Sequence, residues 1–341
     1  MSDAFAEHGP ASSQPLTVRA AYIERLGPPE EIRYGDLTIA GPGFGDVLVE
    51  VEATTVNRVD TFIRSGAYRT PLPFPFVVGR DLAGTVVTAG PGALGFSPGQ
   101  RVWCNSLGHA GRQGAAADRA VVPADRLYHL PPGVSPIDAV AVAHSAATAY
   151  LALFTHGRLR PGQTVVVVGG AGNVGSALVV MAADAGARVV ALARPAAEDY
   201  CRSLGAAEVV DYRDDRWPDR VRRLCPDGVD LYLDTSGSNE LGTAVGLLRQ
   251  RGRIVLLAGR ESRPVLPAWD VYTKDATVTG FVISQATTAE LAEAARAVNH
   301  LLAAGWLRPR RTEVLPLAQT AEAHRRMEAG TLRSLRLVLT P

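Results

Sequence analysis

The stretch Thr164-Val-Val-Val-Val-Gly-Gly-Ala-Gly-Asn-Val-Gly175 decides the fold that this chain is predicted to adopt. Its β-branched run is typical of a buried strand, and the glycine-rich turn that follows leads into a helix. Gly170, Gly172 and Gly175 match the spacing G-x-G-x-x-G. In a strand–turn–helix unit these glycines permit a tight turn, a close approach of the backbone to a pyrophosphate, and close packing of helix on strand. We therefore predict that this segment binds a dinucleotide.

The helix after this turn supplies the rest of the predicted phosphate site. It is expected to run from Asn173 to Ala185, and Gly186 stands where a glycine typically ends a helix. We expect the first helical residues, Asn173 and Val174, to present unpaired backbone N–H groups and the positive end of the helix dipole to the phosphates.

The end of the next predicted strand, Arg188–Ala193, favours NADPH over NADH. Enzymes that use NAD usually carry Asp or Glu there to bond the ribose hydroxyls, whereas this chain has Arg194. A guanidinium can hold a 2′-phosphate with charge-assisted hydrogen bonds, whereas an acid would repel that phosphate. Tyr212, at the end of the third strand, is a second candidate, to stack on adenine or to bond the same phosphate. The alternative for Arg194 is a solvated arginine at a strand end.

The composition argues against several classes of partner. The chain has 341 residues, of which 47% are hydrophobic and 20% are charged, as in a soluble protein with two domains. A formal net charge of +1 gives no electrostatic reason to expect a nucleic acid or a membrane surface as partner. No apolar run approaches the ~20 residues that span a bilayer. Three scattered cysteines indicate reduced thiols in a cytoplasmic protein.

The pattern of predicted elements divides the chain into a tail and two domains. Met1–Pro15 is small, polar and proline-containing, and we predict a disordered tail. Residues 16–136 contain short apolar or alternating runs separated by Gly and Pro clusters, which suggests a partly open β-barrel. From 137 to 309 strands alternate with helices, which predicts a parallel sheet covered on both faces. Residues 310–341 return to strand-like sequence and are expected to rejoin the first domain.

Three further segments carry a resemblance to a known family, namely Asn57–Tyr68, Pro73–Gly84 and Leu204–Tyr212. They resemble the quinone oxidoreductases of the zeta-crystallin type, a zinc-independent branch of the medium-chain dehydrogenase/reductase superfamily, although Val78 stands where that family usually has proline. The resemblance covers nearly the whole chain. It implies an α/β fold in which a Rossmann dinucleotide-binding domain is inserted in a GroES-like β-barrel domain, and it suggests a homodimer.

Other residues stand at the positions that hold catalytic zinc in the alcohol dehydrogenases of this superfamily. Asn57 takes the position of the cysteine ligand, and Arg80 with Asp81 that of His-Glu. Arginine does not ligate metals, and scattered cysteines cannot form a four-cysteine structural site. We therefore predict no metal. Without a Lewis acid to stabilise an alkoxide, NADPH-dependent reduction of quinones or α,β-unsaturated carbonyl compounds is favoured, because their conjugation delocalises the charge.

The resemblance also implies roles for residues of the first domain. Tyr68 lies in a loop expected to face the nicotinamide and is a candidate proton donor to the substrate. The alternative is an aromatic wall that only shapes the pocket. Asn57 is a candidate for a hydrogen bond to the substrate carbonyl or to the nicotinamide ribose, and the alternative is a buried asparagine that ties loop backbone together. We expect Asp60 to fix the helix that follows.

Further cofactor contacts are predicted in the second domain. Thr148 resembles the family's threonine near the nicotinamide, with a packed alanine-rich helix as the alternative. Ser236 and Ala258-Gly259 follow the carboxyl ends of strands, where open α/β sheets bind ligands. The segment Phe281-Val282-Ile283 matches a nicotinamide contact of the family, and a dimer-interface strand is its alternative.

Three functions are compatible with these predictions. The first is a zinc-independent, NADPH-dependent reductase of a small-molecule quinone or enone. The second is an enoyl-thioester or natural-product tailoring reductase on the same scaffold. The third belongs to another class, a protein that binds NADPH without turnover, although the neutral charge balance gives it no basic stripe for RNA.

Overall fold

The structure, a computed structural model, describes residues 14–341, and these divide into two units. The first unit runs to Ala143 and resumes at Arg310, and the second unit spans His144–Pro309. This division falls inside a helix, later in the chain than the predicted boundary after residue 136. The predicted disordered tail, Met1–Pro15, lies almost wholly outside the described residues.

The strands are numbered in chain order. They are β1 (Leu16–Ile23), β2 (Arg33–Ile39), β3 (Asp46–Thr55), β4 (Phe76–Val77), β5 (Leu82–Ala89), β6 (Arg101–Cys104), β7 (Arg119–Pro123), β8 (Tyr128–His129), β9 (Thr164–Val168), β10 (Arg188–Ala193), β11 (Glu208–Asp211), β12 (Val229–Asp234), β13 (Leu248–Leu256), β14 (Thr277–Gly280), β15 (Arg311–Pro316) and β16 (Leu335–Thr340).

The α-helices are numbered in the same way. They are α1 (Arg58–Ser65), α2 (Pro136–Tyr150), α3 (Asn173–Asp184), α4 (Glu198–Ser203), α5 (Trp217–Leu224), α6 (Leu241–Leu247), α7 (Ala268–Thr273), α8 (Thr288–Ala303) and α9 (Thr320–Glu328).

The first unit is built from two sheets. One has the strand order β2-β1-β4, and the other has the order β15-β16-β3-β5-β6-β8, with β7 paired to β3. The C-terminal strand β16 pairs with β3 through Val338 and Thr55, so the predicted return of the chain to its first domain is confirmed. Ile23, Leu82 and Trp103 are fully buried in this unit and show where its core lies.

Strand β2 forms against the local preference of its residues. It contains Gly35 and Asp36, which have low strand propensity. It forms because its whole length, Arg33–Ile39, pairs antiparallel with β1. Here long-range pairing overrides local preference.

The second unit contains one six-stranded sheet with the order β11-β10-β9-β12-β13-β14. Every neighbouring pair is parallel, which confirms the predicted parallel sheet. Val165–Val167 and Val189–Ala193 are buried along their lengths, as expected for strands covered on both faces. The chain order reverses at β9, which lies between β10 and β12. Open α/β sheets bind ligands outside the carboxyl ends of strands at such a switch point.

The predicted alanine-rich helix is longer than an ordinary core helix. It comprises α2 and a π-helical turn, Leu151–His156. Together they form 21 residues with a mean hydropathy of 1.5, which passes the length and composition test for a membrane span. This corrects the expectation that no apolar run approaches that length. The apolar window is 72% buried inside the protein, as in the core helix of a soluble protein.

A fully buried histidine on α9 makes the stability of the first unit depend on pH. His324 is inaccessible to solvent, and neither ring nitrogen has a hydrogen-bond partner within residues 14–341. Burial, with a smaller contribution from the Arg64 guanidinium, lowers the pKa of His324 from 6.5 to about 3. The folded state therefore holds a neutral imidazole that the unfolded chain would protonate more readily.

We expect stability to fall as pH drops below 6.5, because protons then bind preferentially to the unfolded chain. Between pH 7 and pH 5 this histidine should remove about 2 kcal/mol from the free energy of unfolding. Urea titrations of the wild type and of His324→Leu at both values measure the effect. The variant should lose less stability than the wild type on acidification, and equal losses would contradict the prediction.

Candidate active site

The glycine-rich turn follows β9 as predicted. The N–H of Gly172 donates to the carbonyl of Gly169 at 2.8 Å, so Gly170 lies inside the tight turn. Gly169, the extra glycine at the turn, has a φ of 77°, in the left-handed region that favours glycine. A β-carbon there would lie 2.5 Å from Oγ1 of Thr235. Gly170 is constrained by the neighbouring strand, since a β-carbon on it would lie 2.9 Å from that of Ala191.

Gly175 allows α3 to pack directly against the turn. A β-carbon at this position would overlap the carbonyl oxygen of Gly169, a backbone atom that cannot rotate away. The close packing predicted for this third glycine is confirmed. The helix ends at Asp184, and Gly186 has a φ of 75°, as expected for the glycine that terminates it.

The N-terminus of α3 has no side-chain cap. Gly172 is the N-cap residue, in an extended conformation, and no acidic residue lies in the first turn. The N–H groups of Asn173 and Val174 belong to this first turn, where backbone donors have no partner inside the helix. The turn and the helix end form a cradle that only glycine backbone fits, and its free donors match a pyrophosphate.

The structure brings Arg194 and Tyr212 together. Ala193 and Asp211 are partners on the parallel strands β10 and β11, so the residues that follow them lie side by side. Nε of Arg194 donates a hydrogen bond of 3.0 Å to the Tyr212 hydroxyl. The terminal nitrogens of Arg194 have no partner in the described part of the chain. They are available to an anion.

The acid beside Arg194 and Tyr212 is Asp211, and it forms an ion pair with Arg213. Arg213 donates three hydrogen bonds of 3.0 to 3.1 Å to the carboxylate of Asp211. These bonds lower the pKa of Asp211. Because the carboxylate is paired, its repulsion toward a phosphate on Arg194 is reduced.

The loop that contains Ser236 is organised by Asp234, the last residue of β12. The Asp234 carboxylate accepts hydrogen bonds from the backbone N–H groups of Ser236 at 2.7 Å, Gly237 at 3.3 Å and Asn239 at 2.8 Å. It also accepts one from the Ser236 hydroxyl at 2.6 Å. Charge-assisted bonds of this kind hold a loop more firmly than neutral ones do.

Asn239 joins this loop to the one after β13. Its Nδ2 donates to the carbonyl of Ala258 at 2.9 Å. Gly237 and Gly259 approach so closely that a β-carbon on Gly237 would lie 2.8 Å from the nitrogen of Gly259. Ser236 and Ala258-Gly259, predicted separately, are thus brought together at the carboxyl ends of neighbouring strands.

Phe281 begins a segment that is not a strand. β14 ends at Gly280, and a 3-10 turn begins at Ile283, so Phe281 and Val282 form no strand within this chain. A strand at a dimer interface, which can hold together with a nicotinamide contact, stays a prediction. The Phe281 ring stacks on His156 with centroids 4.5 Å apart and an interplanar angle of 14°. Contacts of Phe281, Val282 and Ile283 with a nicotinamide stay predictions.

Thr148 lies on α2 and is 9% exposed. Its hydroxyl donates a hydrogen bond of 2.8 Å to the carbonyl of His144, one turn earlier in the helix. The hydroxyl hydrogen is used within the helix, and its oxygen can still accept. A contact of Thr148 with the cofactor stays a prediction.

In the first unit, Asn57 connects three elements. Its backbone N–H donates to Oδ2 of Asp60 at 2.7 Å, which confirms that Asp60 fixes the start of α1. Its Nδ2 donates to Oδ2 of Asp81 at 2.7 Å, and its Oδ1 accepts from Nη2 of Arg336 at 2.9 Å. The Asn57 side chain is buried, as the structural alternative expects, but its two bonds go to side chains and not to loop backbone. A further contact with substrate or ribose would use its second amide hydrogen and stays a prediction.

Arg336 places a buried cation beside Asn57. It is 5% exposed, and burial lowers its pKa while Asp81 and Asp60 act in the opposite direction. The groups around Asn57 are a guanidinium and the carboxylates of Asp60 and Asp81, without the thiolate or imidazole that zinc sites usually contain. Across residues 14–341, no three His, Cys, Asp or Glu side chains are grouped to hold a metal ion.

Tyr68 lies just after α1 and is half-buried against the core of the first unit. Gly66 ends the helix with a φ of 78°, and the N–H of Tyr68 donates to the carbonyl of Phe62 at 3.0 Å. Its hydroxyl makes no hydrogen bond to any residue that the structure describes. The ring is therefore anchored while the phenol group is free to donate.

Sequence reasoning missed Asp234, Asn239 and Arg336. The first two had a local signal, because an aspartate at a strand end followed by Ser, Gly and Asn favours carboxylate-to-backbone bonds. Arg336 had none, since its partner Asn57 lies 279 residues away in the chain.

Two known protein families match the chain, each within one unit. Residues 43–132 match the alcohol dehydrogenase GroES-like domain, and residues 173–300 match the family described as zinc-binding dehydrogenase. These matches, with the sheet order above, define an oxidoreductase of two domains.

Curated relatives agree with this class. The quinone oxidoreductase of Mus musculus is 29% identical over 334 residues, 96% of this chain and 99% of that protein. A zinc-type alcohol dehydrogenase-like protein of Schizosaccharomyces pombe is 33% identical over 235 residues, 66% of this chain and 67% of that protein. The chain belongs to the medium-chain dehydrogenase/reductase superfamily.

Solved structures confirm the predicted fold class. AibC has a TM-score of 0.85 and 28% identity, covering 95% of this chain and 96% of its own. A quinone oxidoreductase of Pseudomonas syringae has a TM-score of 0.82 and 26% identity over 96% of this chain and 100% of its own. A mycobacterial protein complexed with NADPH has a TM-score of 0.80 and 28% identity, with 95% and 100% coverage.

Proposed function

We propose that this protein is a zinc-independent, NADPH-dependent reductase of a quinone or an α,β-unsaturated carbonyl compound. The observation that carries the proposal is the Asn57 network, in which an amide bonded to Asp81 and Arg336 stands where the family resemblance predicts a zinc ligand in the alcohol dehydrogenases. The relatives named quinone oxidoreductase support the same reaction class.

The second unit would hold NADPH with residues that fit its parts. The glycine cradle and the N-terminus of α3 would bind the pyrophosphate. The free guanidinium nitrogens of Arg194, oriented by Tyr212, would bind the 2′-phosphate. The similar mycobacterial structure is complexed with NADPH, the cofactor that carries this phosphate. When bound, NADPH supplies a hydride from its nicotinamide ring.

The first unit would select acceptors that need no Lewis acid. A saturated ketone concentrates charge on one oxygen as it is reduced, and zinc normally stabilises that charge. A quinone or an enone spreads the charge by conjugation, so hydrogen-bond donors suffice. Tyr68 supplies one free O–H donor in this unit.

Acceptor assays with purified protein test the function. We expect menadione or methyl vinyl ketone to oxidise NADPH, and a saturated ketone to be inactive. NADPH binding without turnover of any quinone or enone would favour the non-catalytic alternative. Turnover only of an enoyl-thioester would favour the tailoring-reductase alternative.

Tyr68→Phe separates proton donation from pocket shape, because it removes the free hydroxyl and keeps the ring packed on the core. If Tyr68 is the acid, kcat with methyl vinyl ketone should fall by about 10²-fold, the lower range for general acid–base catalysis. An unchanged rate with the enone would contradict proton donation and leave Tyr68 as a wall. Thermal unfolding of the variant serves as the control for folding.

Homodimeric assembly and a cytoplasmic location are also parts of the proposal. Light scattering should give twice the chain mass of 36.0 kDa. A monomer would contradict the dimer without affecting the assigned chemistry.

A further inference from the structure

A group of buried polar atoms follows β6 in the first unit. Asn105 is 1% exposed and Ser106 is 5% exposed. Within the described chain, neither Oδ1 nor Nδ2 of Asn105 has a hydrogen-bond partner, and Oγ of Ser106 has none. An unsatisfied buried polar group costs about 1–3 kcal/mol. Consecutive residues with this cost require an explanation, and a bound polar group provides one.

This loop is fixed beside the Asn57 network. The N–H of Leu107 donates to the carbonyl of Arg80 at 2.9 Å. Asp81, the residue after Arg80, accepts the hydrogen bond from Nδ2 of Asn57. Asn105–Ser106 therefore leads into a backbone contact with the segment whose Asp81 is hydrogen-bonded to Asn57, a candidate substrate-binding residue.

Two titratable side chains of the loop, Cys104 and His109, are neutral at pH 7. Burial raises the pKa of Cys104 to about 11, and its sulfur accepts the Ser106 N–H at 3.5 Å. Burial lowers the pKa of His109 to about 4, and the nearby Arg126 charge acts in the same direction. At neutral pH the loop offers amide and hydroxyl dipoles. An amide N–H and a hydroxyl O–H are donors that suit a carbonyl oxygen.

We propose that Nδ2 of Asn105 and Oγ of Ser106 donate hydrogen bonds to the carbonyl oxygen of the acceptor. The inference rests on the proposed function and names the residues that would recognise this substrate class. During reduction the acceptor takes up two electrons and one hydrogen from NADPH, and one proton from water completes the product. The carbonyl oxygen becomes negative in between, and donors directed at it stabilise that charge.

The experiment compares wild type, Asn105→Leu and Ser106→Ala with a matched control, Thr320→Val. Thr320 has an equally buried hydroxyl, but this hydroxyl donates to the carbonyl of Leu317 at 2.6 Å. The measurements are kcat and KM with menadione at saturating NADPH, the Kd for NADPH, and the melting temperature. Quenching of protein fluorescence by menadione, in the presence of NADP⁺, reports acceptor binding without turnover.

Asn105→Leu and Ser106→Ala should lower kcat/KM by about tenfold or more, leave the Kd for NADPH unchanged, and keep or raise the melting temperature. Thr320→Val should lower the melting temperature and leave kcat/KM unchanged. Unchanged kinetics with a lower melting temperature in the Asn105 and Ser106 variants would overturn the inference, because those groups would then be structural. A wild-type protein that binds menadione without reducing it would contradict the proposed function. In that case the quenching titrations test the inference alone, because weaker menadione binding in the Asn105 and Ser106 variants would support it and unchanged binding would overturn it.

Discussion

Gly175→Ala is expected to cause the largest loss of NADPH binding of any single-methyl change in this protein. The added β-carbon would overlap the carbonyl oxygen of Gly169. Both atoms belong to backbone, so relief requires α3 to move away from the turn. Overpacking of this kind costs about 1–3 kcal/mol and occasionally more. Because the helix N-terminus would no longer face the phosphates correctly, we expect the Kd for NADPH to rise by about 100-fold.

Gly242→Ala is the matched control. Gly242 also lies in a helix of the second unit, α6, and a β-carbon there would meet no heavy atom within 4 Å. Removal of a helical glycine should stabilise the protein by up to about 1 kcal/mol and leave the Kd unchanged. Isothermal titration with NADPH and thermal unfolding measure both variants. A Gly175→Ala protein that binds NADPH as tightly as Gly242→Ala would refute the cradle.

Arg194→Ala is expected to change the choice of cofactor. The variant removes the guanidinium that would bond the 2′-phosphate, and charge-assisted bonds contribute about 1.5–3 kcal/mol. The Kd for NADPH should therefore rise by about 10- to 100-fold. The Kd for NADH should change little, since NADH lacks this phosphate. The ratio of the two affinities isolates the phosphate contact from any general damage to the site.

An exposed arginine nearby provides the control for charge. The Arg216 side chain is 85% exposed and only weakly paired, at 3.8 Å from Asp214. Arg216→Ala should leave both affinities unchanged. Equal losses of NADPH and NADH binding in Arg194→Ala would contradict the phosphate role. Equal losses of NADPH binding in Arg194→Ala and Arg216→Ala would show that only the general positive potential matters.

The parts of the site that could be predicted from the sequence are those set by local pattern. The β-branched run and the glycine spacing of residues 164–175 predicted a strand, a turn and a helix, and the structure has all three. Gly170 lies inside the turn, as the spacing predicted. The sequence G-G leaves two candidates for one positive φ, and the structure places it at Gly169.

The parts that could not be predicted depend on pairing between distant residues. No sequence pattern predicts the hydrogen bond between Arg336 and Asn57, because β16 pairs with β3 only in the folded sheet. The same limit applies to Asn105 and Ser106. Polar residues after a strand normally indicate a solvated loop, and only the folded environment shows that they are buried without partners.

The central claim, a reductase that works without a metal, is tested most directly by one rate measurement. The oxidation of NADPH by menadione is followed by absorbance before and after exhaustive dialysis against a strong chelator. The network of Asn57, Asp81 and Arg336 predicts equal rates, because these residues leave no ligand set for zinc. Loss of activity on dialysis, with recovery on addition of zinc alone, would contradict the account.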